Sequence, residues 1–90
     1  EYNMPTKFEI SGHHIEVTPA LEGYVRKRLT KAEQMFDKIT HIHVILTVEK
    51  LSQKAEAEIR LAGNQNSIFA SATSDDLYKS IDKLEDKILT

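Results

Sequence analysis

Lys7-Phe8-Glu9-Ile10 alternates polar with apolar residues, the period of a half-buried strand. Ser11-Gly12-His13-His14 breaks the alternation, and Ile15-Glu16-Val17 returns the chain to the core. Thr18-Pro19 then opens a helix, with Thr18 as N-cap and Pro19 at the first helical position, where a missing N–H costs nothing. From Ala20 to Phe36, residues Leu21, Val25, Leu29, Ala32 and Phe36 trace one apolar stripe, flanked by Tyr24 and Met35. Asp37-Lys38-Ile39-Thr40 links this helix to a long β-branched run from His41 to Glu49. In that run Ile42, Val44, Leu46 and Val48 are predicted inward, and His41, His43, Thr47 and Glu49 outward. Leu51-Ser52-Gln53 reads as a turn. Lys54 to Leu61 follows as a third strand, with Ala55, Ala57, Ile59 and Leu61 inward. Ala62-Gly63-Asn64-Gln65-Asn66 is a turn-rich connection to a fourth strand, Ser67 to Thr73, whose inward residues are Ile68, Ala70 and Ala72. The last segment opens on Ser74 or Asp75 as N-cap and places Leu77, Ile81, Leu84 and Ile88 on one buried stripe. The predicted order is β-α-β-β-β-α, an α+β single domain. Because every strand after the first helix alternates, its four-stranded sheet keeps one wet face and packs both helices on the other.

At 90 residues the chain supports one core and one domain. Met4 reads as the native start, with Glu1-Tyr2-Asn3 appended to it, so the expected domain is 4–90. No apolar run approaches the roughly 20 residues that span a bilayer. The formal net charge of −2 argues against a globally basic binder, so any polyanion site has to come from charge segregation.

Segregation is present. Tyr24-Val25-Arg26-Lys27-Arg28-Leu29-Thr30-Lys31 carries four positive charges and no negative one. Arg28 falls beside the apolar stripe, where it would snorkel on the same flank as Lys31. On the last helix Lys79, Lys83 and Lys87 recur every fourth residue, a spacing at which like charges repel by roughly 0.2–0.5 kcal/mol per pair. Either Asp75, Asp82 and Asp86 offset that row or a polyanion does. Arg and Lys rows suit phosphate, Arg as a bidentate fork and Lys as a point charge. Tyr24 and Tyr78 lie near the rows, placed either to stack on a base or to complete the core. A helix-plus-sheet pattern with its basic side on the helices is similar to the double-stranded RNA-binding domain, which reads A-form backbone by shape.

Other chemistry is sparse. The chain has no cysteine, which removes disulfides, thiolate metal sites and a cysteine nucleophile, and accords with a reducing compartment. His41-x-His43 shares a strand face with Glu49 and Glu58, yet lacks the third ligand of a catalytic zinc site. His13 and His14, adjacent on an extended chain, would point apart. Glu56 and Glu58 lie on an exposed face where nothing excludes water, and the three glycines form no phosphate loop. No enzyme, cofactor or metal site is expected.

Thr18-Pro19-Ala20-Leu21 with Tyr24-Val25, and Lys31-Ala32-Glu33-Gln34 before Phe36, resemble the short ribosome hibernation-promoting factors and their relative protein Y. So do Val44-Ile45-Leu46-Thr47-Val48-Glu49-Lys50, Ala70-Ser71-Ala72, and Asp76-Leu77-Tyr78-x-x-Ile81-Asp82-x-Leu84-x-Asp86-Lys87. The likeness runs from Phe8 to Leu89. It implies a cytoplasmic protein, monomeric off the ribosome, that docks in the channel of the small ribosomal subunit shared by messenger RNA and tRNA. There, helix-face cations contact ribosomal RNA phosphates and idle ribosomes are silenced under stress. Arg28, Lys31 and Lys87 carry over from the family, whereas Lys79 and Lys83 stand where it is often uncharged. The family usually continues beyond the position of Leu89 with a basic tail, and this chain ends at Thr90. By resemblance the short form favours inactive ribosome dimers with a ribosome modulation factor as partner. Two other readings remain: a stand-alone binder of structured RNA, and a protein–protein module using the wet sheet face, where Ile45 and Phe69 point outward.

Overall fold

The elements form in the predicted order: β1 (Lys7–His13), α1 (Pro19–Met35), β2 (Ile39–Glu49), β3 (Ser52–Leu61), β4 (Ser67–Ser74) and α2 (Leu77–Leu89). The computed structural model describes residues 6–36, 38–63 and 67–90. The expected start at Met4, Asp37 of the first link and Asn64–Asn66 of the last hairpin lie outside them. The four strands lie in the order β1-β2-β3-β4. β1 runs parallel to β2, and the other two pairings are antiparallel hairpins.

Alternation puts Ile42, Val44, Leu46, Ala55, Ala57, Ile59 and Ala72 on the buried face, as expected. Leu21, Val25, Leu29 and Ala32 of α1 and Leu77, Ile81, Leu84 and Ile88 of α2 join them in a single cluster, so both helices cover that face. The opposite face stays wet. Phe69 is 73% exposed there, and with His43, Ile45, Glu56 and Glu58 it lines a shallow depression.

Thr18 caps α1, its Oγ1 accepting from the Leu21 N–H at 3.2 Å. The α2 cap is Asp76, not Ser74 or Asp75: an Asp76 carboxylate oxygen accepts from the Lys79 N–H at 3.2 Å. Ser74 is occupied elsewhere, its hydroxyl 2.7 Å from that of buried Ser80, which donates to the Gln53 carbonyl at 2.6 Å. Gln53 in turn accepts from the Leu77 N–H at 2.9 Å through its side chain. These bonds fasten the start of α2 to β3; Ser52 and Gln53 belong to that strand because they pair with Glu49 and Val48 of β2, so the turn shrinks to Lys50-Leu51.

β1 also outruns its alternation. Ser11, Gly12 and His13 stay in the ladder opposite Ile45, Leu46 and Thr47, because pairing uses backbone groups that side-chain polarity does not report. The break comes at His14, whose φ of 63° is left-handed. That turn stacks the rings of His13 and His14, centroids 4.4 Å apart, where an extended backbone would have separated them. Gly12 lets the returning chain pass close by. A Cβ on it would stand 2.3 Å from the Ile15 carbonyl oxygen. Gly12→Ala should therefore lower stability by about 1–3 kcal/mol, the cost of overpacking against backbone. An unaltered thermal midpoint would show that the turn yields freely.

Candidate nucleic-acid interface

The cations expected to share one face divide by what they touch. Arg28 projects from α1 toward α2, and its Nε lies 2.9 Å from Asp82 Oδ1. Its Nη1 donates to Glu85 Oε1 at 3.3 Å, and its Nη2 to the Tyr24 hydroxyl at 3.1 Å. Tyr24 passes the interaction on, donating to Asp82 Oδ1 at 2.6 Å. Lys31 Nζ stands 3.7 Å from Glu85 Oε2. The Arg28 guanidinium is held above its ordinary value, first by the hydrogen bond to Tyr24; partial desolvation opposes this, and the charges of Asp82 and Glu85 reinforce it. Arg28 is therefore a paired residue of the helix–helix seam, where the sequence led one to expect a snorkelling side chain.

The acidic partners come from the side of α2 that faces α1, which is why the α2 lysines point elsewhere. Lys79 pairs with Asp75 at 3.5 Å, both well exposed. Lys87 bends to β4 and donates to the Ser71 carbonyl at 2.6 Å. Lys83 and, on α1, Lys27 are exposed and have no ion-pair partner among the described residues. Arg26 leaves the seam altogether: it pairs with Glu22 at 3.1 Å and lies over the Phe8 ring of β1, 4.7 Å from its centroid. The surface is thus two cationic rails, Lys27 with Lys31 and Lys79 with Lys83, separated by a seam that Asp82 and Glu85 neutralise. Exposed pairs such as Lys79–Asp75 contribute at most about 1 kcal/mol, so a phosphate can replace the carboxylate at little cost.

Tyr24 and Tyr78 meet edge to face, ring centroids 4.9 Å apart. Tyr24 is packed against the core and hydrogen-bonded to Asp82, whereas Tyr78 is 40% exposed. Sequence reasoning passed over Glu85 and Ser80. Both occupy the buried stripe of α2, and a polar residue in a buried stripe is the signal that could have found them.

On the wet face His43 lies 3.0 Å from the Ser11 hydroxyl and His41 3.1 Å from that of Thr40. Among the described residues no three histidine, aspartate or glutamate side chains gather as metal ligands, and no described helix is long and apolar enough to cross a membrane.

The fold is a β-α-β-β-β-α module, with exposed Lys27 and Lys31 on α1 and exposed Lys79 and Lys83 on α2. Residues 8–90 match the family described as sigma 54 modulation protein / S30EA ribosomal protein, and the chain belongs to that family. Among its relatives is a ribosome hibernation promoting factor from Pseudomonas putida, 47% identical over 79 residues that make up 88% of this chain and 76% of the relative. The factor of the same name from Escherichia coli K12 is 38% identical over 82 residues, 91% of this chain and 84% of the relative. Among solved structures, a ribosomal subunit interface protein from Coxiella burnetii superposes with a TM-score of 0.83 at 32% identity, covering 92% of this chain and 89% of its own. The N-terminal domain of Thermus thermophilus Protein Y superposes at 0.81 with 25% identity, covering 93% and 91%.

Proposed function

We propose that this protein is a ribosome hibernation factor of the cytoplasm that binds the small ribosomal subunit in the channel shared by messenger RNA and tRNA. Its helix side meets ribosomal RNA phosphates there, chiefly through Lys27, Lys31, Lys79 and Lys83, with Arg28 at the seam between the rails and Lys87 at the margin. Bound in that channel, it keeps the ribosome idle and favours inactive ribosome dimers. The observation that carries the reading is the pair of cationic rails on the fold of a family whose members are named for ribosome hibernation. Arg26 contributes least, because it faces the β1 side of the molecule.

A body lodged in the channel excludes the ligands that use it, since two solids cannot share one volume. Messenger RNA and initiator tRNA bound beforehand to small subunits should slow or prevent binding, as read by competition on filters. Simultaneous binding without mutual effect would remove the channel from the proposal. Equal affinity for bare RNA duplex in a gel shift would favour a stand-alone RNA binder.

A further inference from the structure

Glu85 is 4% exposed and lies in the apolar stripe of α2 between Leu84 and Ile88. One carboxylate oxygen accepts from Arg28, while the other, Oε2, has no hydrogen-bond partner and finds only the Lys31 ammonium, 3.7 Å away. Desolvating a carboxylate is costly, and replacing a buried ion pair with well-packed apolar groups is often neutral or stabilising. For stability alone, position 85 would suit a leucine. A carboxylate with an unsatisfied oxygen in that position calls for a role that stability does not supply.

Its geometry supplies one. Two cations that both reach a single carboxylate are held within the span of a single oxyanion. Arg28 has five N–H donors. Nε and Nη2 face the Tyr24 hydroxyl at 3.3 and 3.1 Å and Nη1 meets Glu85, which leaves further N–H groups on Nη1 and Nη2. The Arg28 side chain is 33% exposed and that of Lys31 62%, so both cations reach solvent while buried Glu85, with the half-exposed Asp82 at 2.9 Å from Arg28 Nε, holds them from the seam. We infer that Glu85 is a positioning residue of the phosphate-binding face: from under the helix seam it holds Arg28 and Lys31 so that both present to one backbone phosphate. The inference rests on the ribosomal RNA reading and names a residue that never touches the RNA.

The experiment compares the parent, Glu85→Gln and Glu85→Asp for binding to purified small ribosomal subunits across a salt series, with thermal midpoints measured alongside. Glu85→Gln removes one negative charge from a cationic surface, and electrostatics alone then makes binding to phosphate tighter. Positioning predicts the opposite sign, a loss of about tenfold, because ordering the two side chains is shifted onto the binding step. Glu85→Asp keeps the charge and shortens the reach, and it should lose affinity in the same direction. The log–log salt slope should fall by about 0.7–0.9, the contribution of one phosphate contact, whereas a structural disturbance would leave the slope unmoved. Binding of the variants as tight as the parent's, or an unmoved slope, overturns the inference and leaves the reading of function standing. Failure of the parent to bind small subunits overturns both. Should Glu85→Gln not fold, Glu85→Asp carries the comparison with the same criteria.

Discussion

Leu84→Ala should lower the unfolding free energy by about 2–5 kcal/mol, the range for deleting a buried leucine side chain and leaving a cavity. Leu84 is fully buried in the cluster where α2, α1 and the inner sheet face meet, so little around it can collapse into the space. For a small domain holding about 5–15 kcal/mol in total, that is a large fraction of its stability. At about 4–8 °C per kcal/mol the thermal midpoint should drop by about 8 °C or more. Denaturant titration reads the loss directly. Lys83→Ala, one residue away but exposed, should stay within about 0.5 kcal/mol. Equal effects at the two positions would mean that α2 is not docked through the stripe described above.

Lys27→Glu combined with Lys83→Glu should weaken binding to small ribosomal subunits on the order of 100-fold at low salt. A unit charge about 5 Å from a phosphate in a water-like dielectric contributes about 0.8 kcal/mol, and reversal doubles the change at each site. The pair is chosen because neither lysine has an ion-pair partner among the described residues. Reversing Arg28 would instead set a new carboxylate against Asp82 and Glu85 and confuse folding with binding. The difference between parent and variant should shrink as salt rises, because screening acts on exposed charges. Filter binding over a salt series measures both quantities. Undiminished binding would take the site off the helix side.

The fold was legible because burial and periodicity coincide: the inward residues from Ile42 to Val48 and from Ala55 to Leu61 announce themselves by alternation and both helices by a stripe, whereas buried Ile39, read as part of a link, lies before a register shift that takes it out of phase. What side-chain polarity could not report were features made by backbone. The ladder continues through Ser11, Gly12 and His13, and the left-handed turn at His14 stacks two rings that an extended chain would part. The α2 cap is Asp76, while the Ser74 hydroxyl bonds to the Asp76 backbone and meets that of Ser80, a division of roles that residue type alone does not reveal. The candidate site was legible as a set of cations and illegible as an arrangement. Arg28 meets Asp82 and Glu85 across the space between two helices far apart in sequence, and only packing brings them together. Lysines at four-residue spacing looked like one face with α1, yet their flank of α2 is turned away from it. Glu85 stood in plain view between Leu84 and Ile88 on a stripe where a charge has no business unless it is used.

The parallel pairing of β1 with β2 also sets an order of events for a chain emerging from its N-terminus. Lys7 finds its partner in His41, beyond a whole helix, whereas β2, β3 and β4 close through local hairpins and α2 follows them directly. Loop-closure entropy makes the short closures cheaper and earlier. The first strand synthesised is thus without a partner until β2 arrives, and it is added at the margin of a sheet that the later strands have already begun to zip. The strand this domain makes first is among the last it places, while the rest assembles in the order of its synthesis.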